Sequence, residues 1–296
     1  MIIIDGKKLA NAILENTKKE ISQLDFTPVF CDILVGDDPS SAQYVRMKAK
    51  TAKSVGIKFH NANFPATITT AELIKEIKIL NNLPKMCGII VQLPLPESLD
   101  KRAILDAIDP HLDVDCLGAK ASEAFYKGEG RIGPARNASS IADAGGFPTA
   151  LACIAILDSL GLDLENKKIV CLGQGELVGK PVAALLRFRG LNPDIITRKT
   201  ENKEELLKNA DIIISGIGHG KHITGDIVKR GVVLVDAGTS EDSKRPAKGR
   251  AGIVGDVDLE SVKSIASFVS PVPGGVGPVT VAMLLNNVLN VAKKMK

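Results

Sequence analysis

Blocks of apolar residues alternate with polar segments along the chain, and their spacing predicts short strands separated by helices. Apolar runs at 29–35, 88–91 and 168–172 have the length of buried strands. The segment 2–4 is typical of a short first strand. The segment 7–24 carries apolar residues near helical spacing, which indicates an amphipathic helix.

Strands that alternate with helices predict a parallel sheet covered by helices, which places the chain in the α/β class. The length of 296 residues suggests two domains of ordinary size. We expect two α/β domains, in which the C-terminal half is a Rossmann-type parallel sheet and the final helix returns to the N-terminal domain. The expected boundaries are 1–140 with 278–296 for the first domain and 141–277 for the second.

Local signals set the bounds of several predicted elements. A helix is expected over 41–55, with Ser41 at its start as a candidate cap. Thr69 and Glu72 have the spacing of a capping box that opens another helix. The segment 128–146 is poor in large apolar side chains, which favours a loop between the two domains.

The run 271–278 contains three prolines and three glycines, and it is followed by Val279 and Thr280. Proline removes a backbone donor, and glycine permits positive φ and the close approach of a ligand. We therefore predict a rigid loop rather than a helix or a central strand. A loop with so few side chains would suit the wall of a ligand site.

Composition indicates a globular protein that needs no disulfides. Apolar residues make up 45% and charged residues 24%, and the net charge of +4 is not concentrated in any block, which gives no support to nucleic-acid binding. The five cysteines are scattered and odd in number, so we expect a reducing compartment, the cytoplasm. The N-terminus lacks a signal-peptide pattern and no apolar run is long enough to cross a membrane, so no membrane association is expected.

Candidate chemistry in the first half centres on a tyrosine and a lysine. Tyr44 and Lys48 are four residues apart on a predicted helix, so they share one face. A desolvated lysine amine can act as a general acid or base near neutral pH. Gln92 follows a buried strand, at the carboxyl end where α/β sheets bind ligands. Asp113 and Asp115 lie close in sequence, but they have no partner at the spacing of metal ligands, and no metal is expected.

A glycine-rich turn marks the second half as a nucleotide-binding candidate. The strand at 168–172 leads into Gly173, Gln174 and Gly175, and a helix follows from about Gly179. Backbone N–H groups at such a helix start can hold a pyrophosphate. Arg198 follows the next predicted strand, where an arginine suits the 2′-phosphate of NADP rather than the ribose of NAD.

These segments together resemble bifunctional methylenetetrahydrofolate dehydrogenase/methenyltetrahydrofolate cyclohydrolase, the FolD family. The resemblance covers nearly the whole chain in order. It is carried by Tyr44 with Lys48, the run 88–96 with Gln92, Asp113-Val114-Asp115, the turn 173–181, Gly255-Asp256-Val257 and the run 271–280.

The resemblance implies a role for each matching residue. Lys48 would be the acid/base residue of the cyclohydrolase step, Tyr44 would stack on or orient the folate, and Gln92 would hydrogen-bond Lys48. The remaining implied residues fall into two groups. Folate would be bound by Ser41, Asp115, Pro273 and Gly274, and NADP by Gly173, Gln174, Gly175, Arg198 and Thr239. The resemblance also implies a homodimer.

The sequence departs from the family pattern in three places. The family's Gly-Arg-Ser at the cofactor turn is Gly173-Gln174-Gly175 here, so NADP preference rests on Arg198 and NAD stays possible. The glycine that usually follows the Asp-Val-Asp run is Cys116. The usual Pro-Cys-Thr-Pro is reduced to Pro148-Thr149-Ala150.

Two other interpretations stay open at this stage. One is a different two-domain NAD(P) dehydrogenase, acting on a hydroxy or amino acid, which would leave Lys48, Gln92 and the run 271–278 without a role. The other is a non-catalytic nucleotide-binding protein that changes shape on binding, which predicts no turnover.

Overall fold

The computed structural model describes residues 1–128, 145–247 and 250–295, and the side chains of these residues apart from 242–251. Contacts divide the chain into two compact units. One unit comprises Met1–Asn11 and Thr149–Thr280, and the other comprises Ala12–Pro148 and Val281–Lys296. We name them the six-stranded unit and the three-stranded unit after their main sheets.

The predicted alternation of strands and helices is confirmed. The strands are β1 (Ile2–Ile3), β2 (Val29–Val35), β3 (Lys58–Phe64), β4 (Met86–Val91), β5 (Ile169–Leu172), β6 (Asp194–Ile196), β7 (Ile212–Ser215), β8 (Val233–Asp236), β9 (Ser240–Ala247), β10 (Arg250–Val254) and β11 (Phe268–Val269). The helices are α1 (Gly6–Ile21), α2 (Pro39–Ser54), α3 (Thr70–Asn81), α4 (Lys101–Asp106), α5 (Ala119–Lys127), α6 (Pro148–Ser159), α7 (Gly179–Phe188), α8 (Lys203–Asn209), α9 (Leu259–Val262) and α10 (Val276–Lys293).

The three-stranded unit is built on a parallel sheet in the order β3-β2-β4. Strand β2 is central and every one of its residues is buried. The capping box at the start of α3 is present, with Glu72 N–H donating to Thr69 Oγ1 and Thr69 N–H donating to Glu72 Oε2. Most of α10 belongs to this unit, where Asn287 donates to the carbonyl oxygen of Val114 at 2.9 Å. The prediction that the final helix returns to the first domain is therefore confirmed.

The six-stranded unit contains a parallel sheet in the order β1-β11-β8-β7-β5-β6, which confirms the Rossmann-type prediction. Its core consists of aliphatic side chains, among them Val170, Ile213 and Leu234. The first strand joins this sheet through β11, so residues 1–11 group here rather than with the first domain, where the sequence had placed them. Two hydrogen bonds from the chain start fix this placement: Ile2 N–H to Ser267 and Ile4 N–H to Val269.

Two local expectations need correction. The run 271–278 is not entirely a loop, because α10 begins at Val276 and Pro278 lies in its first turn. Proline is tolerated there because its missing N–H would have no partner within the helix. The predicted loop at 128–146 lies mostly outside the described residues. Among the helices that the structure describes, none combines the length and the apolar character needed to cross a membrane.

Candidate active site

Helix α2 presents the first group of candidate residues. Pro39 occupies its first turn, and the side chain of Asp38 caps it by accepting a hydrogen bond from Ser41 N–H at 2.7 Å. Asp38 is therefore the cap, and the expectation that Ser41 caps this helix is wrong. Ser41 is itself buried on the same helix, close to the turn that carries Tyr44.

Lys48 is almost completely buried and is held by groups from three parts of the unit. Its Nζ donates to Gln92 Oε1 at 2.8 Å and lies 2.7 Å from Asp32 Oδ2. The same nitrogen is 4.9 Å from the centre of the Tyr44 ring, one helical turn away, in cation–π contact. The side chain of Lys48 is only 3% exposed. The structure thus brings together Lys48, Tyr44 and Gln92 in one site.

The orientation of Gln92 is fixed from both ends of its amide. Its oxygen accepts from Lys48, and its Nε2 donates to the carbonyl oxygen of Leu93 at 2.6 Å. Its backbone N–H continues the sheet by donating to Ile33 at 2.8 Å. The residues that follow Gln92 line a cavity of about 470 Å³; they include Leu93, Pro94, Leu95, Pro96, Leu99 and Lys101.

Asp32 is the member of this site that the sequence interpretation missed. It occupies the middle of β2, between Cys31 and Ile33, and its side chain is 0% exposed. Burial raises the pKa of the Asp32 carboxyl, and the neighbouring Lys48 opposes the rise. The sequence does contain an indication of this role, because Asp32 is the single carboxylate inside an otherwise apolar strand. Such a residue is rarely buried without a charged partner.

A tight turn after the Asp-Val-Asp run places Asp115 beside this group. Asp113 anchors the turn, because its Oδ2 accepts from Gly118 N–H at 2.7 Å and its backbone pairs with Ile89 at the edge of the sheet. Cys116 has a φ of 62°, in the left-handed region that glycine, the residue usual here in the family, adopts without steric strain. The departure at Cys116 therefore leaves the turn with a glycine-like conformation.

Electrostatic coupling links Asp115 to the lysine site. Burial raises the pKa of Asp115 to about 7, with Lys48 lowering it and Asp113 and Asp32 raising it. Burial, with Asp115 and Asp32, also raises the pKa of Tyr44 to about 12, so its hydroxyl keeps its proton. No group of three His, Cys, Asp or Glu side chains suited to a metal ion occurs within the described part of the chain.

The candidate cofactor turn lies in the six-stranded unit, between β5 and α7. Gly173 follows the strand with a φ of 97°, and the helix starts at Gly179. Gln174 and Gly175 are exposed between them. The Gln174 side chain folds back, and its Nε2 donates to the carbonyl oxygen of Gly173 at 2.9 Å.

The turn after β7 is held by a buried carboxylate. Asp256 accepts from Ser215 Oγ at 2.6 Å, from Ile217 N–H at 2.9 Å and from His219 N–H at 2.8 Å. Both of its oxygens are therefore occupied by protein donors. This network fixes the glycine turn that follows Ser215 and gives the Gly255-Asp256-Val257 motif a structural role.

The remaining sequence candidates also lie in the six-stranded unit. Arg198 is exposed two residues after the end of β6, and its carbonyl oxygen accepts from Lys203 Nζ at 2.8 Å. Thr239 is exposed in the short turn between β8 and β9. Pro273 and Gly274 precede α10 in a turn closed by the hydrogen bond from Gly275 N–H to Pro271 at 2.8 Å. Gly274 has a φ of 105°, which a residue with a side chain rarely adopts.

Comparison with known proteins shows two family domains in the expected order. Residues 4–115 match the tetrahydrofolate dehydrogenase/cyclohydrolase catalytic domain, and residues 148–296 match the NAD(P)-binding domain of the same family. The chain is 40% identical to the bifunctional protein FolD of Nautilia profundicola over 99% of this chain and 98% of that protein.

Solved structures give the same result. The FolD methylenetetrahydrofolate dehydrogenase/cyclohydrolase of Campylobacter jejuni is 35% identical, with a TM-score of 0.88 over 100% of both chains. The Trypanosoma brucei enzyme, complexed with NADP cofactor and inhibitor, is 31% identical, with a TM-score of 0.89 over 99% of this chain and 98% of that one. The chain therefore belongs to the tetrahydrofolate dehydrogenase/cyclohydrolase family.

Proposed function

We propose that this protein oxidises 5,10-methylenetetrahydrofolate to 5,10-methenyltetrahydrofolate with NADP and then hydrolyses the product to 10-formyltetrahydrofolate. The observation that carries the proposal is the buried Lys48, held at 2.8 Å by Gln92 beneath the ring of Tyr44. This group lies in a chain that matches both domains of the family. A nucleotide-binding protein without catalysis has no use for a buried amine held in this way.

Lys48 is the acid/base residue of the hydrolysis. Water must lose a proton as it attacks the methenyl carbon, and a desolvated amine at a fixed position can take part in that transfer. Gln92 holds the amine in place through the hydrogen bond to Nζ. The Tyr44 ring, which keeps its hydroxyl proton, provides a face on which the folate can stack.

Asp115 and Ser41 complete the folate site in this proposal. The half-buried carboxylate of Asp115 can accept hydrogen bonds from the amino edge of the pterin, since a carboxylate offers two acceptor oxygens. Ser41 assists from the start of α2. Pro273 and Gly274 form a wall of the folate site, a role supported by the rigid, side-chain-poor backbone of the turn that contains them.

Hydride transfer makes smaller demands on the protein. The two folate nitrogens share the positive charge that develops on the one-carbon unit, so no strong base is needed and the protein chiefly aligns two bound molecules. When bound, the nicotinamide supplies the hydride acceptor. The alignment requires a folate domain and a cofactor domain. We propose 1–140 with 278–296 for the first and 141–277 for the second, except that residues 1–11 join the sheet of the second.

The residues at the cofactor turn fit a dinucleotide. A Cβ on Gly175 would meet nothing closer than the carbonyl oxygen of Gly216 at 4.0 Å, so there is open space at the exposed side of the turn. Gly173, Gln174 and Gly175 would hold the pyrophosphate by backbone N–H groups, and Thr239 would lie beside the cofactor. The exposed Arg198 provides a cation for the 2′-phosphate of NADP, although NAD also fits the turn itself.

A coupled assay on the purified protein tests the function. Methylenetetrahydrofolate is supplied with NADP or NAD, and reduction of the cofactor and loss of the methenyl absorbance are followed separately. We expect both signals with NADP. Turnover of hydroxy acids or amino acids in the absence of folate turnover would support another dehydrogenase, and nucleotide binding with no turnover would support a sensor.

The homodimer and the compartment are also part of the proposal. The dimer follows from the family resemblance, and light scattering on the purified protein measures it directly. All five cysteines are buried and free, which supports a reducing compartment such as the cytoplasm. Localisation of a tagged protein in its own cell is the corresponding test.

A further inference from the structure

Asp32 differs from the buried carboxylate of Asp256 in how its charge is satisfied. Asp256, which is also completely buried, receives three protein donors on its two oxygens. Asp32 has the amine of Lys48 at 2.7 Å from Oδ2, and its Oδ1 has no hydrogen-bond partner among the described residues. A carboxylate buried only for structural reasons would be expected to gain more donors, because burying an unsatisfied charge is costly.

Lys48 contacts both this carboxylate and the other groups of the site. Its ammonium, which has three N–H donors, forms an ion pair with Asp32 in β2 and donates a hydrogen bond to Gln92 after β4. The ring of Tyr44 lies on a further side, and Asp115 is the other charged group near enough to interact. Besides Lys48, the titratable groups that interact with Asp32 are Tyr44, Asp115 and the buried thiol of Cys31, its neighbour in the strand.

We propose that Asp32 is a positioning residue for hydrolysis that acts through Lys48, as the proton acceptor behind the amine. This inference rests on the proposed function. In the resting site the carboxylate and the amine share one proton between Oδ2 and Nζ. The pair can therefore take up a second proton, whereas an ammonium ion without this partner has no vacant lone pair.

The proton balance of the reaction follows from this arrangement. Water attacks the methenyl carbon, a C–O bond forms, and an electron pair of a C–N bond moves onto a flanking folate nitrogen. One water proton passes to the Lys48 amine as the amine passes a proton to Asp32 Oδ2. When the C–N bond breaks, Lys48 gives a proton to that nitrogen and takes one back from Asp32. The hydroxyl proton leaves to solvent as the C=O bond forms.

The environment of Asp32 favours its role as a proton acceptor behind Lys48. Burial raises the pKa of its carboxyl, which brings proton uptake closer to the pH at which the protein works. Hydride transfer needs no such acceptor. A variant that lacks the carboxylate should therefore separate the two activities, which a merely structural role would not do.

The test compares Asp32→Asn with the wild type and with Asp25→Asn, which changes an exposed carboxylate. We expect Asp32→Asn to lower kcat of hydrolysis by about 100-fold, in the range of general acid–base effects, and to change kcat of the dehydrogenase by less than about threefold. The double variant Asp32→Asn with Lys48→Met should lose no more hydrolysis than Lys48→Met alone, since the two residues act as one unit. Hydrolysis that persists in Asp32→Asn would overturn the inference.

A measurement on the wild type keeps the test decisive if Asp32→Asn does not fold. At saturating folate, kcat of hydrolysis should fall as the pH is lowered from about 8 to about 5, while kcat of the dehydrogenase stays level. A hydrolysis kcat that does not fall over this range contradicts the inference. If the wild type shows neither activity with folate substrates, the proposed function itself fails, which is a distinguishable result.

Discussion

A Cβ atom on Gly179 would lie 2.1 Å from the carbonyl oxygen of Gly173, so the first residue of α7 packs directly on the start of the turn that precedes it. This contact fixes the path from β5 into the helix. A Cβ on Gly175, in the same turn, would come no closer than 4.0 Å to the carbonyl oxygen of Gly216. The two glycines therefore have different roles: Gly179 permits close backbone packing, and Gly175 leaves space outside the turn.

The two alanine variants of this turn should separate stability from cofactor binding. We expect Gly179→Ala to lower the free energy of unfolding by about 1–3 kcal/mol, because backbone atoms must move to admit the methyl group. Gly175→Ala should change stability by less than about 0.5 kcal/mol. It should nevertheless raise Kd for NADP about tenfold, equivalent to about 1.4 kcal/mol, because the methyl group takes space needed by the pyrophosphate.

Urea unfolding and NADP titration of both variants measure these effects. If Gly175→Ala binds NADP as tightly as the wild type, the pyrophosphate does not lie against this turn. If Gly179→Ala is as stable as the wild type, the turn has another low-energy conformation.

Replacing the central lysine should remove one activity of two. We expect Lys48→Met to lower kcat of hydrolysis by at least about 100-fold, because Lys48 is the residue that we propose takes the proton of the attacking water. Folate should still bind, since the methionine keeps the length of the side chain. Hydrolysis of methenyltetrahydrofolate, followed by its absorbance, and folate binding measured by calorimetry test this directly.

The exposed Lys50 on the same helix provides a matched control, and Lys50→Met should keep both activities. Lys48→Met should also be less stable, by about 3–5 kcal/mol, since it leaves Asp32 buried without its partner. A stability measurement therefore accompanies the kinetics. Full hydrolysis by folded Lys48→Met would remove the lysine from the mechanism.

The sequence was most informative where local rules decide the structure. The capping box at Thr69 and Glu72 and the turn from β5 into α7 depend on neighbouring residues, and their patterns predicted them. Asp32 escaped notice because the position that holds its partner, Lys48, is brought to it only by packing of α2 beside β2. The same holds for β1, a strand of two residues whose partner β11 lies near the other end of the chain.

Errors at helix starts have a different cause. Asp38 and Ser41 both belong to residue types that cap helices, and the sequence does not decide which side chain reaches which N–H. Likewise Pro278 seemed to exclude a helix, although proline is excluded only after the first turn. The roles of Pro273, Gly274 and Thr239 depend on a bound ligand and remain predictions.

Cofactor preference should depend on Arg198. The family's arginine in the glycine turn is Gln174 here, and the side-chain amide of Gln174 donates a hydrogen bond to the carbonyl oxygen of Gly173. Arg198 is therefore the remaining candidate from the sequence for the 2′-phosphate. We expect Arg198→Ala to raise KM for NADP about tenfold or more, since hydrogen bonds to charged groups are worth about 1.5–3 kcal/mol. KM for NAD should change little.

Arg230→Ala, at another exposed arginine, should leave the ratio of KM for NADP to KM for NAD unchanged. Kinetics with both cofactors at several salt concentrations provide the measurement, because an exposed ionic contact weakens as salt rises. If Arg198→Ala raises KM for NADP and KM for NAD by the same factor, the residue does not recognise the 2′-phosphate.

Folate binding should strengthen as pH rises through neutrality. The pKa of Asp115 is raised to about 7, so the carboxyl carries a proton at lower pH and becomes a full acceptor above it. Between pH 6 and pH 8 the ionised fraction of a group with this pKa rises from about one tenth to about nine tenths. KM for methylenetetrahydrofolate should therefore fall about tenfold over that range, whereas the Asp32–Lys48 pair should affect kcat of hydrolysis alone.

Asp115→Asn identifies the titrating group. An asparagine keeps the shape of the side chain but does not ionise, so KM should be high and nearly constant between about pH 6 and pH 8. Asp37→Asn, at an exposed position, should keep the wild-type dependence. A wild-type KM that does not change with pH would show that the ionised Asp115 carboxylate does not bind the pterin. A pH dependence that persists in Asp115→Asn would assign the titration to another group of the site.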